Sequence, residues 1–212
     1  MKNRSTAFRR VVWAAVVVVV LTAMGFGTKV VASDSAEGAA PGTFHASDYA
    51  KAKFPEVKKD IIAKANDLIE VATALAADPT AAAGKYGVTE GDTGSAAVYS
   101  VKFSGVAGTA ESGIMPITVE GLPGKLLIRV QMGPAINGTD LRDATGKIHF
   151  PDFTNQIDYQ NAGAALNDQL KKQVLSKISA DQLAGKTVSV VGAFQLVNPD
   201  AYLITPVKIV AE

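Results

Sequence analysis

The sequence predicts an α+β fold, in which a small five-stranded barrel follows a helical arm and an N-terminal apolar helix. Five runs rich in β-branched and aromatic residues occur after residue 97, separated by turn-like segments. A helical pattern lies between the third run and the fourth. Gly105 and Gly192 fall inside runs, where glycine marks a bend or a bulge. The order strand-strand-strand-helix-strand-strand is typical of an OB-type barrel, and an open α+β sandwich is the alternative.

Residues 1–33 are typical of an export signal. Four basic residues lie among the first ten, and thirteen of the fourteen residues 11–24 are apolar. Residues 30–32 form an acceptable cleavage site before Ser33. The apolar run continues to Thr28, however, and its eighteen residues would form a helix about 27 Å long, close to the ~30 Å of a hydrocarbon core. The segment is therefore either a cleaved signal peptide or an uncleaved inner-membrane anchor over residues 11–28.

The rest of the chain divides by composition into three parts. Residues 34–44 are rich in Ser, Ala, Gly and acidic residues, as expected of a flexible tether. Residues 45–96 are the predicted helical arm, and residues 97–212 the predicted barrel domain. Strands are expected at residues 98–106, 114–120, 125–132, 187–196 and 202–210, with a helix at residues 155–178. Pro206 in the last strand predicts an edge or a bulge.

The arm carries one apolar stripe with spacings of three and four residues. It consists of Phe54, Val57, Ile61, Ala65, Leu68, Ala72 and Leu75. Pro55 is expected as the first residue of this helix, after a short turn capped at Ser47-Asp48. Asp78-Pro79 should end it and cap a short helix that Gly87 closes. The stripe would either pack on the barrel or dock a partner.

Composition excludes several classes of function. The chain has no cysteine, which excludes disulfides, thiolate catalysis, zinc ribbons and iron–sulfur clusters. Residues 1–33 contain five basic residues and no acidic one, so the remainder carries 16 basic against 20 acidic residues. Because nucleic-acid binding depends on clustered Lys and Arg, an acidic body predicts no nucleic-acid partner.

Polar side chains concentrate between the third strand and the following helix. The candidate ligand-binding residues are Asn137, Thr139, Arg142, Asp143, Asp152, Asn155, Gln156 and Tyr159. In one interpretation Arg142 binds a carboxylate or phosphate group of a ligand with two parallel hydrogen bonds, in fork geometry, while Asn155 and Gln156 bind its hydroxyl groups. In the other, Arg142 pairs with Asp143 or Asp152 and pins the segment to the barrel, and Asn155 caps the helix.

A second surface follows from the OB-type order. The face of strands two and three would carry Thr118, Glu120, Lys125, Arg129 and Gln131, flanked by residues 108–113 and 198–200. It has few aromatic residues, so recognition by stacking is not expected there.

Catalytic and metal-binding signatures are weak. His45 and His149 are the two histidines and lack metal-ligand spacing. No Gly-x-Ser-x-Gly elbow and no phosphate-binding glycine loop occurs. The sequence therefore predicts no enzyme activity, no catalytic residue, no metal and no cofactor. The alternatives are an enzyme of unrecognised type and a calcium site formed by Asp140, Asp143, Asp152 and Asp158.

Two segments carry a family resemblance: Gly-Thr-x-x-Arg-Asp at residues 138–143 and Asp-Phe-x-Asn-Gln at residues 152–156. Residues 65–68, 85–87 and 204–207 resemble the outer landmarks of the same family. Together they resemble the predicted periplasmic lipoprotein family, domain of unknown function 2291, over residues 44–210. The resemblance implies a bacterial cell-envelope protein with an OB-like domain. Its genes often lie beside those of sugar ABC transporters, which implies a transporter component as partner but no reaction.

One departure from that family concerns the anchor. Many of its members carry an acylated cysteine at the end of the apolar run, where this chain has Thr28. A conventional lipid anchor is therefore excluded, which favours the apolar helix as the anchor. The sequence predicts a non-enzymatic accessory or ligand-binding protein on the periplasmic side, anchored in the inner membrane or secreted. It would take a small polar ligand or serve sugar uptake. The alternative is an interaction module that uses the arm.

Overall fold

Five strands close into a barrel in the computed structural model, which describes residues 43–89 and 96–212. The strands are β1 (Asn66–Asp67), β2 (Gly87–Val88), β3 (Val98–Ala107), β4 (Ile114–Thr118), β5 (Leu127–Gln131), β6 (Thr187–Gln195) and β7 (Ala201–Ala211). The helices are α1 (Ala46–Lys64), α2 (Leu68–Ala77), α3 (Pro79–Tyr86), α4 (Asp140–Asp143), α5 (Gln156–Gln173) and α6 (Ala180–Leu183). Two 3-10 turns are Phe150–Asp152 and Leu175–Lys177.

The barrel has the strand order β3-β4-β5-β7-β6, and β6 pairs back onto β3. Neighbouring strands are antiparallel except β5 and β7, which are parallel. The helix α5 connects β5 to β6. This is the order of the OB fold, so the predicted architecture is confirmed. The short strands β1 and β2 are additions that pair with β3.

Two apolar cores lie on either side of the barrel wall. The inner core includes stacked rings of Tyr99, Phe194 and Tyr202, with centroids 5.3 and 4.5 Å apart. Helix α2 contributes buried apolar residues to this core. The outer core packs apolar residues of α1 and α5 against Ala193 and Val207 of the wall. Burial of these surfaces is the main driving force for the fold.

The helical arm differs from the prediction in its helix boundaries. Helix α1 begins at Ala46 after His45, so Ser47-Asp48 lies inside its first turn and Pro55 in its interior. A proline there removes one backbone hydrogen bond. The helix nevertheless continues, because Phe54 before the proline and Val57 after it are both buried on one face.

The predicted single stripe is also wrong, because the chain breaks between α1 and α2. Asn66 and Asp67 pair with β3, and the Asp67 carboxylate caps α2 by accepting from the Ile69 and Glu70 amides at 2.8 and 3.2 Å. The two halves of the stripe enter different cores. Both are buried within this chain, so the stripe offers no exposed face for a partner. Asp78 caps α3 as predicted.

Of the region before the barrel, the structure describes residues 43–89 and 96. The predicted signal or anchor, and residues 34–42 of the tether, lie outside the described residues. Residues 44–212 cluster as one unit. Among residues 43–89 and 96–212, none of the helices combines the length and the hydropathy that a membrane crossing needs.

The predicted strand irregularity is a bulge at Gly192, while Gly105 marks a close approach of two strands. The register of β6 against β7 shifts between Val191 and Gly192, and Gly192 pairs with Pro206. A Cβ added at Gly192 would lie 2.5 Å from the Thr205 carbonyl oxygen, and one at Gly105 would lie 2.5 Å from that of Thr118. Only glycine allows this approach of two strands, and the bulge places Pro206 where no ladder bond is needed.

Replacing Gly192 with alanine should therefore destabilise the protein. Because the added Cβ meets backbone rather than a flexible side chain, we expect a loss of about 1–3 kcal/mol in the free energy of unfolding. Urea denaturation followed by circular dichroism measures it. The matched control is Gly84→Ala in α3, where a Cβ meets nothing within 4 Å. Equal effects of the two substitutions would contradict the role of Gly192.

Candidate functional site: a polar cleft against helix α5

A cleft of about 580 Å³ opens between helix α5 and the segment that leads into α4. Its walls are formed by Ile136, Asn137, Gly138, Thr139, Arg142, Gln156, Tyr159, Gln160, Ala164, Asn167, Asp168 and Lys171. The structure thus places five of the eight predicted residues in one cleft: Asn137, Thr139, Arg142, Gln156 and Tyr159. Asp143, Asp152 and Asn155 do not line it.

The Arg142 guanidinium is hydrogen-bonded to other residues of the protein. Its Nε and Nη2 donate to the two carboxylate oxygens of Asp143 at 2.7 and 3.1 Å, and Nη1 donates to the Tyr159 carbonyl oxygen at 3.2 Å. The guanidinium carbon lies 3.5 Å from the centroid of the Tyr159 ring, a cation–π contact. The fork geometry is therefore present, but Asp143 occupies it in place of an external anion.

Asp143 and Asn155 both act as structural residues beside the cleft. The Asp143 carboxylate also accepts from Thr139 Oγ1 at 2.6 Å and from the Tyr159 hydroxyl at 3.4 Å. Asn155 caps α5, since its side-chain oxygen accepts from the Asp158 amide at 2.9 Å. This cap, and the pairing of Arg142 with Asp143, match the structural interpretation of the sequence.

Asp152 is not among the hydrogen-bond partners of Arg142, which are Asp143 and Tyr159. Its carboxylate accepts from the backbone amide of His149 at 2.9 Å and closes the 3-10 turn. Direct binding roles for Asp143, Asp152 and Asn155 are therefore not supported by their positions. Asp143 is instead the side-chain partner of Arg142, and Asp152 and Asn155 accept from backbone amides before and at the start of α5.

The loop wall of the cleft is fixed by buried polar side chains that sequence reasoning missed. Gln131, at the end of β5, donates to the Asn137 carbonyl oxygen at 3.0 Å and accepts from the Asn137 amide at 2.8 Å. Gln131 also donates to Thr205 Oγ1 at 2.9 Å. Asn167 of α5 donates to the Gly138 carbonyl oxygen at 2.9 Å. These contacts satisfy the backbone of an irregular segment and preform the cleft.

The position of Gln131 also corrects the second predicted surface. Gln131 is 1% exposed and points into this network, so it cannot belong to the solvent face of strands β4 and β5. The β5 residues Arg129 and Leu127 remain accessible there. The alternation of buried and accessible side chains along β5 ends at Val130 and Gln131, which are both buried, because residues 133–139 cover this end of the strand.

Close packing of α5 against α4 positions Arg142 at the cleft. Gly163 faces this contact, and a Cβ added there would lie 3.4 Å from the Thr139 methyl carbon and 3.7 Å from Arg142 Nη1. Both distances are ordinary van der Waals contacts, so the two helices pack against each other at Gly163. Tyr159 is fixed from its other side by Phe153, whose ring centroid lies 5.3 Å away.

Asp140 is the most perturbed acid near the cleft. Its carboxylate accepts from Thr205 Oγ1 at 2.7 Å. Burial raises the pKa of Asp140 to about 6; the nearby Asp143 charge raises it too, while hydrogen bonds from Thr205 and the Gln195 backbone oppose the rise. The carboxylate thus belongs to the chain of contacts that continues through Thr205 to Gln131.

The calcium alternative gains no support. Within the described residues, no group of three or more His, Cys, Asp or Glu side chains is arranged to hold a metal ion. His45 and His149 are both exposed and lie outside the cleft lining.

An OB barrel with a preformed polar cleft on its outer side is the class of protein that these observations define. The chain belongs to the family described as predicted periplasmic lipoprotein, domain of unknown function 2291, which matches residues 14–210. This confirms the resemblance inferred from the motifs at residues 138–143 and 152–156. The protein is accordingly one of the cell envelope, on the periplasmic side.

One solved structure supports the fold independently. An OB-fold protein from Thermotoga maritima is similar with a TM-score of 0.66 at 20% sequence identity, covering 80% of this chain and 99% of that one. At this identity the likeness concerns the fold alone. No curated protein matches the chain.

The raised pKa of Asp140 predicts a pH dependence of stability. The folded protein binds this proton more tightly than the unfolded chain, so stability falls as pH rises from about 4 to about 6. Asp140→Asn removes this loss of stability, because the amide does not ionise, and its oxygen still accepts a hydrogen bond from Thr205. We expect it to be more stable than the parent at pH 7.5, by the order of 1–3 kcal/mol, and similar at pH 4.

Urea denaturation at several pH values measures this difference. Asp181→Asn on the exposed surface of α6 is the control, because it removes the same charge without burial. An Asp140 variant that is less stable than the parent at pH 7.5 would show that the charged form is needed for the fold.

Proposed function

We propose that this protein is a non-enzymatic binding protein of the cell envelope whose cleft takes a small polar ligand. The observation that carries the proposal is the preformed cleft of about 580 Å³, a volume typical of small-molecule sites. Its loop wall is held by the buried Gln131 and Asn167, so little ordering is needed when a ligand enters.

A binding role rather than a catalytic one is supported by the residues that line the cleft. Among the described residues that line the cleft there is no histidine, serine or cysteine. The carboxylate in the lining belongs to Asp168, and it lies 2.6 Å from the Lys171 Nζ. General-base catalysis needs a group within hydrogen-bond reach of a reacting atom. Three of the seven α5 side chains at the cleft are amides, namely Gln156, Gln160 and Asn167, and amides bind and orient a ligand without catalysing a reaction.

We also propose that residues 11–28 hold the protein in the inner membrane, with the barrel on the periplasmic side. The support is the eighteen-residue length of the apolar run and the lack of any cysteine for acylation. A sugar ABC transporter component is the proposed partner, on the strength of the family resemblance.

A ligand screen by thermal shift tests the binding role. The panel contains pentoses, hexoses, sugar phosphates, short oligosaccharides and calcium, and a true ligand at 100-fold excess over its Kd stabilises by about 2.7 kcal/mol. Ala164→Trp, in the middle of the cleft wall, should abolish the shift by filling the space.

The matched control for this screen is Asn161→Trp, an exposed position on the same helix outside the cleft lining. It should leave the shift unchanged. Equal loss in both variants would indicate damage to α5 rather than a filled cleft. A shift that persists with Ala164→Trp would place the ligand elsewhere on the protein.

Mass spectrometry of the N-terminus tests the anchor. Membrane and periplasmic fractions are analysed separately, and we expect an intact N-terminal segment in the membrane fraction, because the apolar run is long enough to remain there. An N-terminus at Ser33 in the soluble fraction would show that the segment is a cleaved signal peptide.

A further inference from the structure

The positive charge in the depth of the cleft is already neutralised. Asp143 binds Nε and Nη2 of Arg142, and the side chains of this pair are 9% and 14% exposed. The same carboxylate accepts from Thr139, so both of its oxygens are engaged. An anionic ligand that reached Arg142 would have to displace Asp143 and leave a carboxylate there without its counter-charge.

The geometry around Arg142 also limits approach from one side. The Tyr159 ring covers one face of the guanidinium at 3.5 Å, and the Tyr159 carbonyl oxygen accepts a hydrogen bond from Nη1. Arg142 therefore acts as a fixed part of the wall.

The charge at the mouth of the cleft is neutralised in the same way. Lys171 Nζ lies 2.6 Å from the Asp168 carboxylate, one turn earlier on α5. Both side chains are partly exposed, so the pair contributes little to stability. It nevertheless cancels the field that would attract an anion or a cation. The lining therefore has charged groups but no uncompensated charge.

The polar groups left for a ligand are amides. Gln156 and Gln160 lie one turn apart on α5 and line the cleft, and neither side chain makes a hydrogen bond within the described chain. An amide both donates and accepts, which matches hydroxyl or amide groups better than a phosphate. We infer that the ligand of this cleft is an uncharged molecule rich in hydroxyl or amide groups. This inference rests on the proposed function.

Matched pairs of compounds that differ only in charge test this inference. Glycerol, a pentose and a hexose, each beside its phosphate ester, are titrated calorimetrically into the full-length protein in a detergent without a sugar headgroup. For at least one pair, the uncharged member should bind about tenfold more tightly than the ester. Tighter binding of an ester would overturn the inference while leaving the proposed function intact. Absence of binding by every compound would overturn both.

A charge variant makes the test independent of which pair binds. Asp168→Asn releases Lys171 at the mouth of the cleft, so the affinity for the ester should rise roughly threefold or more relative to the affinity for the uncharged member. Asp181→Asn, which removes the same charge on α6, should change neither affinity. Unchanged affinity for the ester in Asp168→Asn would contradict the neutralising role of the Lys171–Asp168 pair.

Discussion

The long pairing between β3 and β6 sets the geometry of the barrel and of the helices packed on it. Nine consecutive residue pairs, from Val98 with Gln195 to Val106 with Thr187, close the barrel. Each of the two strands carries a glycine at which a further strand passes at backbone contact, Gly105 in β3 and Gly192 in β6. Closure removes the open edges that a small sheet would otherwise expose, and it leaves one wall on which α1 and α5 pack.

The cleft is a consequence of how that wall is covered. The chain that connects β5 to β6 contains helix α5, and the irregular segment 132–139 begins this connection. Its backbone polar groups lie against the barrel, and they are satisfied by side chains from β5 and α5. The same hydrogen bonds therefore stabilise the connection and shape a concave surface. Arg142 of α4 completes this surface, held in place by its pairing with Asp143.

The sequence predicts the barrel well because its signals are local. Each strand has its own β-branched run, and the two bend glycines stand inside such runs. The arm was mispredicted because Pro55 is a strong local signal that burial of Phe54 and Val57 overrides. The break near Asp67 depends on pairing with β3, a contact between distant parts of the chain.

The candidate site was predicted in part for the same reason. The density of polar residues points to a segment that forms part of the cleft wall, and the pairing of Arg142 with Asp143 is one of the two interpretations that the sequence allows. Pattern alone could not distinguish residues that face the cleft from those that hold the backbone, such as Asp152 and Asn155. Gln131 and Thr205 give no signal in the sequence, because a polar residue in a strand is ordinarily solvent-exposed. Their hydrogen bonds form only when β5, β7 and the segment 132–139 meet.

The two walls of the cleft differ in how much change they can tolerate. The loop wall is tied to the barrel, and substitutions there alter the fold as well as the surface. The helical wall presents Gln156, Gln160, Ala164 and Asp168 in a single row, one turn apart, and each is solvent-exposed. Under the proposed binding role, these exposed positions can change one at a time without disturbing the core. Related proteins that share the barrel would then be free to differ in ligand through four side chains of one helix.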